Sequence, residues 1–125
     1  MFAMNGNPVL DVGGTHVTAA LVDTGTWSSR PGTRHRLPLR SEGTTAEIIE
    51  TIARCAQTLG PLTGTTLTVA IPGPFDYARG IGRYEGVAKF DALNGVDVRA
   101  RLLDAIPSPP DSIEFLNDAA AFGIG

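Results

Sequence analysis

Three short stretches of this chain put polar side chains and glycines where apolar runs end. The first is Asp11-Val12-Gly13-Gly14-Thr15, which follows an apolar run beginning at Pro8. A carboxylate is delivered at the end of a buried segment. Two glycines then remove side-chain bulk, so that backbone N–H groups can face an incoming oxyanion, and Thr15 adds a hydroxyl. This set suits a phosphate group, with Asp11 facing a phosphate-bound Mg²⁺ through water. It is not a Walker loop, because no Gly-Lys-Ser/Thr follows. Nor is it the dinucleotide fingerprint, because the glycine spacing differs and a strand pattern comes next. The same residues also read as a plain glycine hairpin turn with an acid in front.

The second stretch is Phe115-Leu116-Asn117-Asp118-Ala119-Ala120-Ala121. Its Asn-Asp pair stands between an apolar strand end and the start of an alanine-rich helix, where either residue caps well. In open α/β sheets the carboxyl ends of strands line the ligand crevice, and capping is compatible with aiming a carboxylate into it. The third is Ile71-Pro72-Gly73-Pro74-Phe75-Asp76. It reads as a turn whose glycine lets a ligand approach the backbone. Three such ends at one rim of a sheet would form a single crevice.

The elements that must position these residues are legible from spacing. Pro8 to Val12 and His16 to Val22 read as strands joined by Gly13, Gly14 and Thr15, hence a β-hairpin. Asp23 to Gly32 reads as a loop. Thr33 to Leu39 reads as a third strand, one that ends at Pro38 or lies at an edge, because Pro38 lacks a backbone donor. Thr44 to Leu59 is the clearest helix. Thr44 and Glu47 form a capping-box pattern, Ile48, Ile52, Cys55 and Leu59 share a face, and Gly60-Pro61 stops it. Cys55 on that face reads as a small core residue. Thr65 to Ile71 is a strand, and Phe75 to Phe90 an irregular glycine-rich excursion over the sheet edge. Val96 to Ile106 has helical spacing, with Asn94 in a cap-like position and Asp97 three residues on. Ser112 to Leu116 is the last strand. The alternation predicts an α/β fold, a mixed sheet with helices on its faces.

Composition narrows the functions. The chain has 125 residues, 42% hydrophobic and 18% charged, which fits one globular domain. With 10 basic against 13 acidic residues and a net charge of −3, there is no electrostatic footprint for nucleic acid. One cysteine allows no internal disulfide, and with only His16 and His35 beside it no zinc cluster is expected. No signal peptide or membrane span is evident, so the expected location is the cytoplasm.

The motifs DVGGTHVTAALVD (11–23), IPGPFDYARGIG (71–82) and FLNDAAAFGIG (115–125) resemble, in order and spacing, those of the ROK family (repressor, open reading frame, kinase). Its enzymes are sugar kinases of the hexokinase/actin-like superfamily. The resemblance covers about residues 9 to 125. It implies a ribonuclease H-like lobe with helices on both faces, the first of two lobes flanking an ATP cleft. It also implies that Asp11, Gly13, Gly14 and Thr15 meet the phosphates of ATP with Mg²⁺, that Asp118 is the general base, and that Asn117, Gly73 and Asn94 contact a glucose-like hexose. Departures are visible. No Trp stands near Asn94, where many members read Asn-Leu-x-Gly-Trp, and Ala120 replaces a frequent Asn or Asp. The family's second half is absent from these residues, so residues 1–125 are expected to be an N-terminal lobe, inactive alone and a homo-oligomer when full length. The donor is left open between ATP and polyphosphate. Two other readings stand beside the kinase: a sugar-sensing regulator of the same family, and an actin-like ATP-binding half without sugar chemistry.

Overall fold

The structure is a computed structural model describing residues 6–23, 25, 28–30 and 32–117. Eight strands and two helices follow in the order β1 (Asn7–Val12), β2 (His16–Asp23), β3 (Ser28–Ser29), β4 (His35–Pro38), α1 (Thr45–Gln57), β5 (Thr66–Ala70), β6 (Phe75–Asp76), β7 (Ile81–Gly82), α2 (Val98–Ala105) and β8 (Ser112–Leu116). β2, β1, β5 and β8 lie side by side in one sheet. β3 and β4 both pair with the outer side of β2. β1 and β2 are antiparallel, whereas β1, β5 and β8 run parallel. The mixed sheet expected from the alternation is therefore present, and β4, carrying Pro38, is an edge strand as expected.

Each parallel crossover carries a helix. The steps from β1 to β5 and from β5 to β8 go the same way across the sheet. Right-handed crossovers in one direction place both helices on the same face, and α1 and α2 do pack against each other. Of the helices expected on both faces, the two described ones stand on one. The helix expected to open at Asn117-Asp118 lies outside the described residues. Period-two alternation then sorts the strands. Leu10, Val12, Val17, Ala19, Leu67 and Val69 join the helices in the main core. Val9, Ala20, Val22 and Ala70 are buried on the opposite face, with Leu116 packed against them.

α1 forms where the capping box requires. The Thr44 hydroxyl accepts from the Glu47 N–H (3.2 Å), and the Glu47 carboxylate accepts from the Thr44 N–H (2.9 Å). The bond from the Thr44 N–H favours the ionised form and holds the Glu47 carboxyl below its ordinary value. Ile48, Ile49, Ile52, Ala53, Cys55 and Ala56 are the buried stripe. Cys55 is a core residue, as expected. Burial pushes its thiol up to about 11, and the thiol lies 3.5 Å from the Val17 carbonyl. A raised folded value means stability that is complete below the unfolded thiol's pKa of ~8.5 and lost as pH rises through the folded value. The expected outcome is a denaturation midpoint that falls above about pH 9, with a shallower fall in Cys55→Ala. Parallel pH series of both proteins check this; equal slopes would contradict it.

α2 begins later than the spacing predicts. Its N-cap is Asp97, whose carboxylate accepts from the Ala100 N–H (2.9 Å), rather than Asn94. The cause is tertiary. Residues 94 to 97 pair with β7, through Gly82 with Asn94 and Ile81 with Asp97. The helix can start only beyond them. The excursion from 75 to 90 is also more ordered than its composition implies. β6 and β7 form a small hairpin. Phe75, Tyr84, Phe90 and Phe115 stack in a buried chain with centroid separations of 5.1–6.2 Å. Such pairs contribute about 0.5–1.5 kcal/mol each beyond area burial. The Arg99 guanidinium ties this hairpin to the sheet. It donates to the carbonyls of Ile113, Arg79 and Ala78 and lies 5.4 Å from the centroid of the Phe115 ring.

Candidate functional site

Because β1, β5 and β8 are parallel, their carboxyl ends share one rim. Cα pairing carries a single row across the sheet there: Arg36, Thr18, Asp11, Ala70 and Leu116. The loops that leave this rim are the three singled out by residue type: the turn at 13–15, the segment from Ile71 to Asp76, and Asn117. Two strand spacings separate the ends of β1 and β8, roughly 10 Å, so one small ligand can touch both.

The turn after β1 is a tight hairpin closed by the Gly13 N–H donating to the His16 carbonyl (2.8 Å). Gly13 thus serves the turn. Among the described residues the N–H groups of Gly14 and Thr15 have no hydrogen-bond partner, which leaves them available to an oxyanion. Asp11, half-buried on β1, lies on the sheet face opposite the helices, in register with Thr18. The same face carries His16 and Arg36. An Arg36 Nη donates to His16 Nδ1 (3.2 Å), with the Thr15 hydroxyl 3.0 Å from the same nitrogen. A guanidinium can only donate, so Nδ1 accepts and the ring proton sits on Nε2. Sequence reasoning missed Arg36. The signal was there, in a strand reading for 33–39 whose pairing with β2 sets Arg36 beside Thr18.

Lys89 was missed as well. A Cβ built on Gly14 would lie 3.8 Å from its Nζ and 3.9 Å from its Cε. The excursion therefore brings a cation over the glycine turn. No periodicity announces it, because the flanking residues are left-handed: Ala88 has φ 66° and Phe90 φ 54°. Each such non-glycine residue costs about 1–2 kcal/mol.

The other two loops meet. A Cβ on Gly73 would lie 3.4 Å from the Tyr77 hydroxyl and 3.7 Å from the Asn117 amide nitrogen. Tyr77 donates its single proton to the Ile71 carbonyl (2.8 Å), so it can only accept from Asn117 Nδ2 (2.9 Å). That fixes the amide, with Oδ1 turned away from Tyr77 as an acceptor for a ligand hydroxyl. Burial pushes the Tyr77 phenol up, partly offset by the Asn117 bond, so it keeps the proton it donates. Tyr77 was not foreseen from sequence. Asn94 is exposed and ends the short 3-10 turn Asp91–Leu93, with its backbone contacts running to Asp91 and Gly82 rather than to the rim. Asp118, the expected base, lies outside the described residues.

The rim's donor set fits a phosphate chain: two backbone N–H groups and the Lys89 ammonium around a position that a Cβ would fill. Mg²⁺ bound to phosphates needs only one or two protein carboxylates, and Asp11 can supply one. Among the described residues no group of three or more His, Cys, Asp or Glu could hold a metal on its own. Nor is any helix among them long and apolar enough to cross a membrane. A separate open groove of about 430 Å³ lies between α1 and α2, lined by Glu50, Arg54, Gln57, Arg101 and Asp104 among others, away from the rim.

Solved structures share this architecture. An inorganic polyphosphate/ATP-glucomannokinase from Arthrobacter sp. strain KM aligns at TM-score 0.69 and 24% identity, over 96% of this chain and 50% of that one. The chain has the fold of a ROK kinase. A ROK family glucokinase from Streptomyces griseus, solved in complex with glucose and AMPPNP, aligns at TM-score 0.65 and 17% identity, over 95% and 37%. A ROK hexokinase from Thermus thermophilus gives 0.63 and 22%, over 89% and 34%. The expected fold, an α/β mixed sheet of the actin/hexokinase type, is thereby borne out. The chain spans between about a third and a half of the length of these kinases. No protein-family profile matches the chain, and no curated protein sequence matches it.

Proposed function

We propose that this chain is the N-terminal lobe of a ROK sugar kinase that transfers the γ-phosphoryl group of ATP to a hydroxyl of a glucose-like hexose. The observation that carries the reading is the convergence at one rim of an anion-ready glycine turn and an oriented Asn117 amide beside Gly73. A phosphate pocket next to a hydroxyl-recognising pocket is what phosphoryl transfer to an alcohol requires. ATP with Mg²⁺ would supply the transferable group and charge neutralisation. The chain's own residues do the rest. Gly14, Thr15 and Lys89 hold phosphate oxygens. Asp11 faces the metal. Asn117 Oδ1 accepts from a sugar hydroxyl, and Asp118 takes the proton of the attacking one. The cytoplasm is the setting that this reading implies.

A single lobe cannot close over its ligands, so water is not excluded and the donor is half held. Residues 1–125 alone are therefore expected to show negligible hexose-dependent ATP turnover, and a form carrying the second lobe robust turnover. A panel of hexoses with coupled detection of ADP checks both. Robust turnover by 1–125 would overturn the lobe assignment, and a two-lobe form inert toward every hexose would overturn the kinase reading.

A further inference from the structure

We propose that Lys89 closes an oxyanion site over the Gly14-Thr15 turn and that its ligand is the terminal phosphate of the phosphoryl donor. This rests on the kinase reading for the identity of the donor, but the site itself is argued from placement. The ammonium stands 3.8 Å from where a Gly14 side chain would begin. None of the ion pairs among the described residues includes it, and the residue is exposed. A solvated surface lysine needs no special backbone. Lys89 has one: left-handed residues on both sides, at Ala88 and Phe90. Strain of this kind persists only where surrounding structure over-determines it.

The surrounding structure is identifiable. The Phe90 ring is fully buried, 5.4 Å from that of Tyr84. Its N–H donates to the Ser41 carbonyl (3.0 Å), just before α1. The Thr45 hydroxyl donates to the Ala92 carbonyl (2.6 Å). The loop is thus clamped to the start of α1 immediately after Lys89, which limits where the ammonium can go. On the near side are the backbone N–H groups of Gly14 and Thr15, which have no hydrogen-bond partner among the described residues. A tetrahedral oxyanion lodged between them meets donors from both directions, and the bond to the ammonium is charge-assisted.

The test is binding of inorganic triphosphate to the 125-residue chain by titration calorimetry, at two salt concentrations, with melting temperature confirming the fold of each variant. Lys89→Gln is expected to weaken binding about tenfold and to flatten its salt dependence, and Lys89→Arg to retain most of it. Gly14→Ala provides an independent arm. Its methyl group makes only ordinary contact with the lysine, so the fold survives, but it occupies the anion's place and should abolish binding. Unchanged affinity in Lys89→Gln, or a parent chain that binds no triphosphate, would overturn the site. Hexose binding is measured on the same samples. Lys89-dependent triphosphate binding without any hexose binding upholds the site while the kinase reading fails. Hexose binding with triphosphate binding indifferent to Lys89 does the reverse.

Discussion

In the proposed two-lobe kinase, Asp118→Asn is expected to keep hexose affinity and to lose about 10²–10⁴-fold in turnover, the usual contribution of a positioned general base. The support comes from what precedes it. β8 ends at Leu116 on the shared rim, and Asn117 is held by Tyr77 beside Gly73. Asp118 directly follows that oriented amide in sequence. An amide there can still hydrogen-bond a sugar hydroxyl but cannot take its proton, so the loss should fall on kcat rather than on KM. Steady-state kinetics with calorimetric sugar binding separate the two. Turnover within a factor of a few of the parent would remove Asp118 from the base role.

Gly82→Ala is expected to destabilise the fold by about 3 kcal/mol or more, a large part of a domain's net stability. A Cβ at Gly82 would run into the Leu93 carbonyl and meet the Tyr84 ring at 3.2 Å. The obstacle is backbone, which cannot rotate away. Gly82 also donates to the Val96 carbonyl (3.1 Å) and accepts from the Gly95 N–H (2.9 Å). The methyl group must therefore push β7 from the 3-10 turn or break that bridge. Since Lys89 and Phe90 lead directly into this turn, any displacement should reach the rim too. A urea denaturation midpoint checks the stability. A shift within about 0.5 kcal/mol, the ordinary range for harmless surface changes, would show that the segment yields.

The elements legible from sequence are those whose signals are local. α1 carries its cap, stripe and stop within 17 residues, from Thr44 to Gly60, and β8 has the bounds its apolar run implies. The β1–β2 hairpin follows from two strand patterns separated by glycines. What could not be read depends on partners far along the chain. The start of α2 is set by β7, through Asp97 and Ile81. The aromatic chain joins Phe75 to Phe115, 40 residues away in sequence, an equal separation to that between Tyr77 and Asn117. β3 is two residues long and forms only because β2 offers it an edge. The site divides the same way. Asp11, Gly14, Thr15, Gly73 and Asn117 stand at strand ends that spacing reveals. Arg36 arrives by strand pairing, Tyr77 in the turn after β6 and Lys89 between two left-handed residues, and none is placed by local spacing alone.

The parallel run of β1, β5 and β8 leaves the two ends of the sheet with unequal duties. The described groups proposed to handle ligand gather where those strands finish. Where β5 begins, Thr63 and Gly64 are exposed, and Gly64 has nothing within 4 Å of its would-be side chain. Fluorophores, affinity tags or short peptide insertions belong at that distal connection. There the tightly packed strands act as a spacer, and a reporter can follow folding without disturbing the chemistry.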